Sequence, residues 1–295
     1  MTRILITGRS GQVGAELVTA LASLGEIMAC DRSRLDLADS TAIAATVREF
    51  RPSIIVNAAA YTAVDRAEEE PDQAMAINGT APGILAAEAK RLGAWLVHYS
   101  TDYVFDGTKP GAYDEEDVPN PLNVYGRTKL AGERAMQASG ANHLILRTSW
   151  VYGATGKNFL VTIRRLAAER DELKIVNDQF GAPTWCRDIA TATATILARV
   201  AQSRSQESNA LSGIYNMSAE GTATWYDFAA AILAETGAPA KKRQPKLVAI
   251  PASDYPTPAA RPRNSVLSHD KLLQTFDVAL PFWRDGLKAC VAGRT

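Results

Sequence analysis

Tyr125 and Lys129 stand four residues apart in Tyr125-Gly126-Arg127-Thr128-Lys129, in a stretch whose pattern predicts a helix around residues 125–137. That spacing puts both side chains on one helix face, a turn apart. A free phenol, with a pKa of about 10, relays protons poorly at neutral pH. A neighbouring ammonium favours the phenolate and draws that value down, so the pair could pass a proton to a carbonyl oxygen as it is reduced. Taken alone, the pattern reads equally well as a core tyrosine beside a surface lysine. Upstream, Thr101 lies in Ser100-Thr101-Asp102-Tyr103-Val104-Phe105-Asp106-Gly107, at the expected carboxyl end of a strand. Its hydroxyl could hydrogen-bond the same carbonyl; the plainer reading is a β-branched strand residue.

A glycine-rich turn supplies the context. Gly8-Arg9-Ser10-Gly11-Gln12-Val13-Gly14 follows the apolar run Ile4-Leu5-Ile6 and opens an amphipathic stretch. Gly8 permits a tight strand-to-helix turn, Gly11 lets the backbone approach a pyrophosphate, and Gly14 lets the helix pack close to the sheet. The spacing is GxxGxxG, and its strand–turn–helix setting is what makes it a nucleotide-binding signal. A Walker A loop is excluded because no Gly-Lys-Ser/Thr follows. A nucleophile elbow fails because Gln12 stands where a glycine is needed. After the second strand, Asp31 could hydrogen-bond an adenosine ribose and favour NAD, whereas Arg32 could meet the 2′-phosphate of NADP. Both remain open on the residues. Asp36-Leu37 could lie against the adenine, or Asp36 could be a solvated turn residue.

Short apolar runs alternate with helical stretches, which predicts βαβ units: an α/β, Rossmann-type doubly wound parallel sheet. Strands are expected at residues 3–7, 26–30, 53–57, 94–100 and 144–147. Helices are expected near 12–24, 40–50, 71–92, 158–169, 187–201 and 224–236. Residues 1–150 read as the nucleotide-binding core, on which the 187–201 helix packs back, and 151–295 as a smaller, mixed α/β substrate-binding region. Residues 203–212 read as a polar linker and 250–264 as a proline-rich loop. The chain has 295 residues with 32 basic and 32 acidic side chains, so zero net charge gives no reason to expect a nucleic-acid partner. No apolar run approaches the ~20 residues of a membrane span. Cys30, Cys186 and Cys290 lack disulfide or zinc spacing, so a reduced, cytoplasmic protein is expected. The sequons at Asn78 and Asn216 are then chance matches.

The glycine turn, Asn57-Ala58-Ala59-Ala60-Tyr61-Thr62-Ala63-Val64-Asp65, the Thr101 segment, Pro121-Leu122-Asn123-Val124-Tyr125-Gly126 and Arg147-Thr148-Ser149-Trp150-Val151-Tyr152-Gly153 together resemble the extended short-chain dehydrogenase/reductase family. Gly181-Ala182-Pro183-Thr184 and Arg261-Pro262-Arg263-Asn264-Ser265 extend the resemblance over the whole chain. The resemblance implies NADPH- or NADH-dependent reduction of the 4-keto group of dTDP-4-dehydro-L-rhamnose to dTDP-L-rhamnose. It places Thr101, Tyr125 and Lys129 in a catalytic triad. The cofactor would be held by the backbone of Gly11, Gln12 and Val13, by the loop Ala59, Ala60, Tyr61, Thr62, and by Tyr125 and Lys129. Tyr103 and Trp150 would line the sugar pocket, and Arg261 or Arg263 would meet the substrate diphosphate, as a planar guanidinium suits.

Dehydratases of this family resemble Thr-Asp-Glu where this chain has Tyr103, so the extra acid of an elimination is absent. Some members of this kind hold Mg²⁺ between acids at a dimer interface. Glu16 and Asp188 match those positions, but Arg187 stands where another acid would, which argues against a metal. Apolar helices near Glu16 and Asp188 allow a homodimer. Two other readings stay open: reduction of another nucleotide-linked 4-keto sugar, and a non-catalytic, NADP-binding regulatory subunit resembling the methionine adenosyltransferase accessory subunit. Asp114-Glu115-Glu116-Asp117 and Lys241-Lys242-Arg243 read as solvated turns, and His98, His143 and His269 as structural.

Overall fold

Apolar residues at successive positions, rather than alternating ones, mark strands covered on both faces. In the computed structural model, which describes residues 2–202, 210–237 and 244–293, these runs form one six-stranded parallel sheet. Its strands are β1 (Arg3–Thr7), β2 (Glu26–Cys30), β3 (Ile54–Asn57), β4 (Trp95–Thr101), β5 (His143–Thr148) and a sixth, Gly213–Asn216. Across the sheet the order is Gly213–Asn216, β5, β4, β3, β1, β2, so the winding reverses between β1 and β3. The sheet is a doubly wound Rossmann-type α/β arrangement, and its ligand crevice belongs at the carboxyl ends of the strands beside that reversal.

Helices cover both faces. On one, Leu17 and Leu21 from α1 (Gln12–Ala20) and the residue after it meet Ile189, Ile196 and Leu197 of the helix Cys186–Gln202 over Ile4, Ile6, Val56 and Val97. On the other, Ile43, Val47 and Phe50 of α2 (Ser40–Phe50) join Leu85 and Ala89 over Leu5, Ile55, Leu96 and Ile145. A third core lies under the C-terminal segments, around Tyr152, Leu160, Ile163, Phe228, Ile232, Trp283 and Leu287.

Several boundaries differ from the sequence reading. The stretch expected as one helix over residues 71–92 is Pro71–Met75, a π-helical turn Ala76–Thr80, then Ala81–Leu92, ended by Gly93 in the left-handed conformation (φ 66°). Lys246–Ile250 forms a strand parallel to Glu172–Val176, and helices span Asp270–Phe276 and Trp283–Val291. Lys246–Ile250 and Asp270–Phe276 are short elements ordered by tertiary packing. Trp283–Val291 buries Trp283, Leu287 and Cys290 along one face, a helical pattern that the sequence reading passed over. Residues 203–209 of the expected linker, and Lys241, Lys242 and Arg243, lie outside the described residues.

Candidate active site

A cleft of about 850 Å³ opens at the carboxyl ends of the strands, running from the glycine turn to Trp150 and Trp225. At its first end Gly8 adopts φ 75°, and a Cβ there would lie 2.7 Å from the Ala59 nitrogen. A Cβ on Gly14 would lie 2.0 Å from the Gly8 carbonyl oxygen. The turn therefore closes only with hydrogen at both positions. Gly11 caps α1 with extended backbone and no side-chain acceptor, so the first-turn N–H groups have no capping oxygen. That is the geometry that accepts a phosphate. Leu35, Asp36, Leu37 and Arg32 continue this wall.

Asp31 is not among the lining residues: its Oδ1 accepts from the Ser33 nitrogen, the Ser33 hydroxyl and the Arg34 nitrogen, which holds its carboxyl below the usual range. With that oxygen used within its own turn, Arg32, paired with Asp36 (3.2 Å), is the cation at that edge. Gly14 likewise sits behind the wall. Ala59, Ala60, Tyr61 and Thr62 form the opposite side, as do Gln12 and Val13 near the turn.

The Tyr61 loop has an anchor that the sequence reading passed over. Asn78, fully buried in the π turn, accepts from the Tyr61 nitrogen (2.8 Å) and donates to the Tyr61 carbonyl (3.0 Å) and the Thr128 hydroxyl (3.2 Å). One amide thus ties the loop to the helix bearing Lys129. An Asn-Gly pair inside an Ala-rich helical pattern was the available signal.

Thr101, Tyr125 and Lys129 converge at the end of β4. The helix Val124–Ser139 begins at Asn123, whose side chain accepts from the Gly126 nitrogen, and this fixes where Tyr125 enters the cleft. The Thr101 hydroxyl donates to Asp102 Oδ1 (2.9 Å) and accepts from the Tyr103 nitrogen (3.2 Å), and it lies close enough to Tyr125 to favour the phenolate slightly. Burial is the largest influence on Tyr125 and pushes it up to about 12, against the lowering that the helix spacing led us to expect from Lys129. Burial also lowers Lys129 to about 7, with Glu133 opposing it. Desolvation of both groups outweighs their mutual effect. Asp102 is raised to about 6 by burial, although Thr101 and Ser149 hydrogen-bond it. A protonated phenol that faces the cleft can deliver a proton to a carbonyl oxygen bound there.

At the far end, Tyr103 packs edge-on against Tyr125, ring centroids 5.9 Å apart. Trp150 stacks on Trp225 at 3.6 Å and 5°. Trp150 holds a left-handed backbone (φ 45°), a strained conformation for a bulky residue that its packed surroundings maintain. Trp225, which opens the helix Trp225–Thr236 behind a Thr224–Asp227 capping box, was not singled out from sequence. Arg261 does not line the cleft. Its guanidinium pairs with Asp65 (2.8 Å) and donates to the Ala259 carbonyl (3.1 Å), and its charge acts on the nearby Tyr103. Arg263 lines a separate hollow with Lys109 and Phe180. Glu16 is paired with Arg187 (2.9 Å), and among the described residues no three His, Cys, Asp or Glu side chains are placed to share a metal.

A glycine turn at one end of a Rossmann crevice and a Thr/Tyr/Lys cluster at the other define an NAD(P)H-dependent oxidoreductase of the short-chain type. A family model described as the RmlD substrate binding domain matches residues 1–295. The chain is 49% identical to a dTDP-4-dehydrorhamnose reductase of Burkholderia thailandensis, covering 98% of each, and 49% identical to that of Escherichia coli K12, covering 97% of this chain and 95% of the other. Its fold matches a Bacillus anthracis dTDP-4-dehydrorhamnose reductase crystallised with NADP at a TM-score of 0.90, with 35% identity over 99% of this chain and 100% of the other. The chain belongs to the dTDP-4-dehydrorhamnose reductase family.

Proposed function

We propose that this protein uses NADPH or NADH to reduce the 4-keto group of dTDP-4-dehydro-L-rhamnose, giving dTDP-L-rhamnose. The observation that carries the reading is the meeting of Thr101, Tyr125 and Lys129 on the wall of the cleft that begins at the Gly8–Gly14 turn. The residues present fit a dinucleotide: the amides after Gly11 would take its pyrophosphate, and Lys129 would hold its nicotinamide ribose. Bound there, the cofactor would supply the hydride.

The protein's own part is proton delivery and alignment. Tyr125, protonated across the neutral range because burial raises it, gives its proton to the carbonyl oxygen as negative charge develops there. Thr101 orients that oxygen, and the Lys129 ammonium stabilises the tyrosinate left behind. Tyr103, with the Trp150–Trp225 stack, would take the sugar, and Arg261 would act through Tyr103 and Asp65. Arg32 lining the cleft, with Asp31 Oδ1 engaged in its own turn, supports acceptance of a 2′-phosphate.

Three buried free thiols suit a reducing, cytoplasmic setting, and no described helix is long and apolar enough to cross a membrane. We extend the proposal to residues 1–150 with the 187–201 helix as the cofactor-binding unit, and to a homodimer, which light scattering would test.

Purified protein given dTDP-4-dehydro-L-rhamnose should oxidise NADPH, and NADH, with formation of dTDP-L-rhamnose. Tyr125→Phe should lower kcat by about 10²- to 10⁴-fold with little change in cofactor affinity. Near-normal turnover by that variant would sink the acid assignment. Cofactor binding without oxidation would turn the reading toward another keto sugar or a regulatory subunit.

A further inference from the structure

We infer that His98 is a positioning residue that holds the Lys129 ammonium at its working place in the cleft. The inference rests on the role given to Lys129 above. Lys129 is almost wholly buried, and its Nζ lies 2.5 Å from the Tyr99 carbonyl oxygen and 3.1 Å from His98 Nε2. An ammonium has three donors in a tripod. With Tyr99 and His98 accepting two, the third is directed by default toward whatever enters the cleft.

His98 is itself 1% exposed, and its other ring nitrogen, Nδ1, lies 3.0 Å from the Asn57 side-chain amide. Asn57 in turn meets the Thr7 hydroxyl at 2.6 Å, and Thr7 immediately precedes Gly8. Four buried polar side chains therefore run beneath the crevice, from the phosphate-binding turn to the lysine, crossing β1, β3 and β4. Burial and the Lys129 charge keep the imidazole neutral, so His98 meets the lysine as an acceptor. As placed, the Asn57 oxygen accepts from the Thr7 hydroxyl and its nitrogen faces His98 Nδ1. With Nε2 accepting, the ring proton sits on Nδ1, and the Asn57 amide is turned over, oxygen toward Nδ1 and nitrogen toward Thr7. The same heavy-atom positions accommodate this arrangement, and it fixes the tautomer.

Without His98, the ammonium keeps only the Tyr99 carbonyl, and a chain of four rotatable bonds regains freedom. The charged form also loses a hydrogen bond, so it gives up its proton at lower pH. The other groups facing Lys129 do not replace that bond. Tyr125 and Glu133 lie on its own helix; Glu133 is held by Arg147 of β5 through a buried bidentate pair (2.7 and 3.0 Å), and the Tyr99 phenol is turned to Thr193.

The test compares His98→Gln, whose carbonyl reaches the place of Nε2, with His98→Asn, which stops short of it, and His98→Leu, which has no acceptor. Lys129→Met is measured alongside, and thermal melts report folding. Asn and Leu should lower kcat by about ten- to a hundredfold with little change in KM. They should also move the alkaline limb of the kcat profile about one pH unit lower. Gln should restore both toward the parent. If Leu does not fold, the Gln–Asn pair decides the matter. Parent-like kcat and limb in Asn and Leu, with Lys129→Met inactive, would overturn the role of His98 alone. Equal losses in all three variants with an unmoved limb would reduce it to packing. An active Lys129→Met would instead remove the role of the lysine.

Discussion

The two ends of the cleft are built in opposite ways. The glycine-turn end is made of backbone: hydrogen atoms at Gly8 and Gly14 let one strand, one turn and one helix close within a few consecutive residues. The aromatic end is made of side chains from distant segments. Tyr103 follows β4, Trp150 follows β5, and Trp225 opens a helix of the C-terminal region. A backbone-made site tolerates almost no added volume but is indifferent to most side chains. A side-chain-made site can be pruned one ring at a time, and its losses should be graded and confined to one ligand.

Three substitutions sharpen that contrast. The largest effect is expected for Gly14→Val: branched carbons pressed against the Gly8 carbonyl should cost about 1–3 kcal/mol of stability and weaken cofactor binding most of all. Thermal melts with and without NADPH would show both, and parent-like binding would break the claim that this end is set by backbone contact. Trp225→Ala comes next. Loss of the stacked partner of Trp150 should raise KM for the nucleotide sugar about tenfold while leaving cofactor Kd alone. An equal loss of cofactor affinity would mean that the two ends are not separable. Smallest is Arg32→Ala, whose side chain is largely exposed and pairs with Asp36. It should weaken NADPH binding about threefold to tenfold, less for NADH, and the difference should shrink with added salt. Equal effects on both nucleotides would remove Arg32 from the recognition of the 2′-phosphate.

The same contrast explains what could be read from residue order. β1, the turn and α1 are contiguous, so glycine spacing and an apolar run sufficed to place Gly8, Gly11 and Gly14. Tyr125 and Lys129 share a helix, so their spacing alone put them on one face. Their electrostatics were not legible in this way. Burial raises Tyr125 and lowers Lys129, and burial depends on what β4, β5 and the loops stack around the helix. Asp31 stands where a ribose ligand is expected, but that its Oδ1 would be engaged within its own turn could not be read from its position alone. Asn78 was set aside as a chance sequon; the Asn-Gly pair marked a break in the helix, but its aim at Tyr61 depends on the fold. Trp225 and the Lys246–Ile250 strand owe their positions to partners far along the chain, and no periodicity of either encodes them.

The outermost strand carries a consequence for how the molecule is made. Gly213–Asn216 pairs with β5 in register from Gly213 opposite Leu144 to Asn216 opposite Arg147. Until that late segment leaves the ribosome, β5 is the rim of the nascent sheet, with the outward amide and carbonyl groups of Ile145 and Arg147 open to any extended chain nearby. Synthesis at about 5–20 residues per second makes that window several seconds long. Through that interval the growing chain carries an adhesive border that its finished form conceals, so chaperone demand during expression should fall on this border rather than on the nucleotide-binding turn.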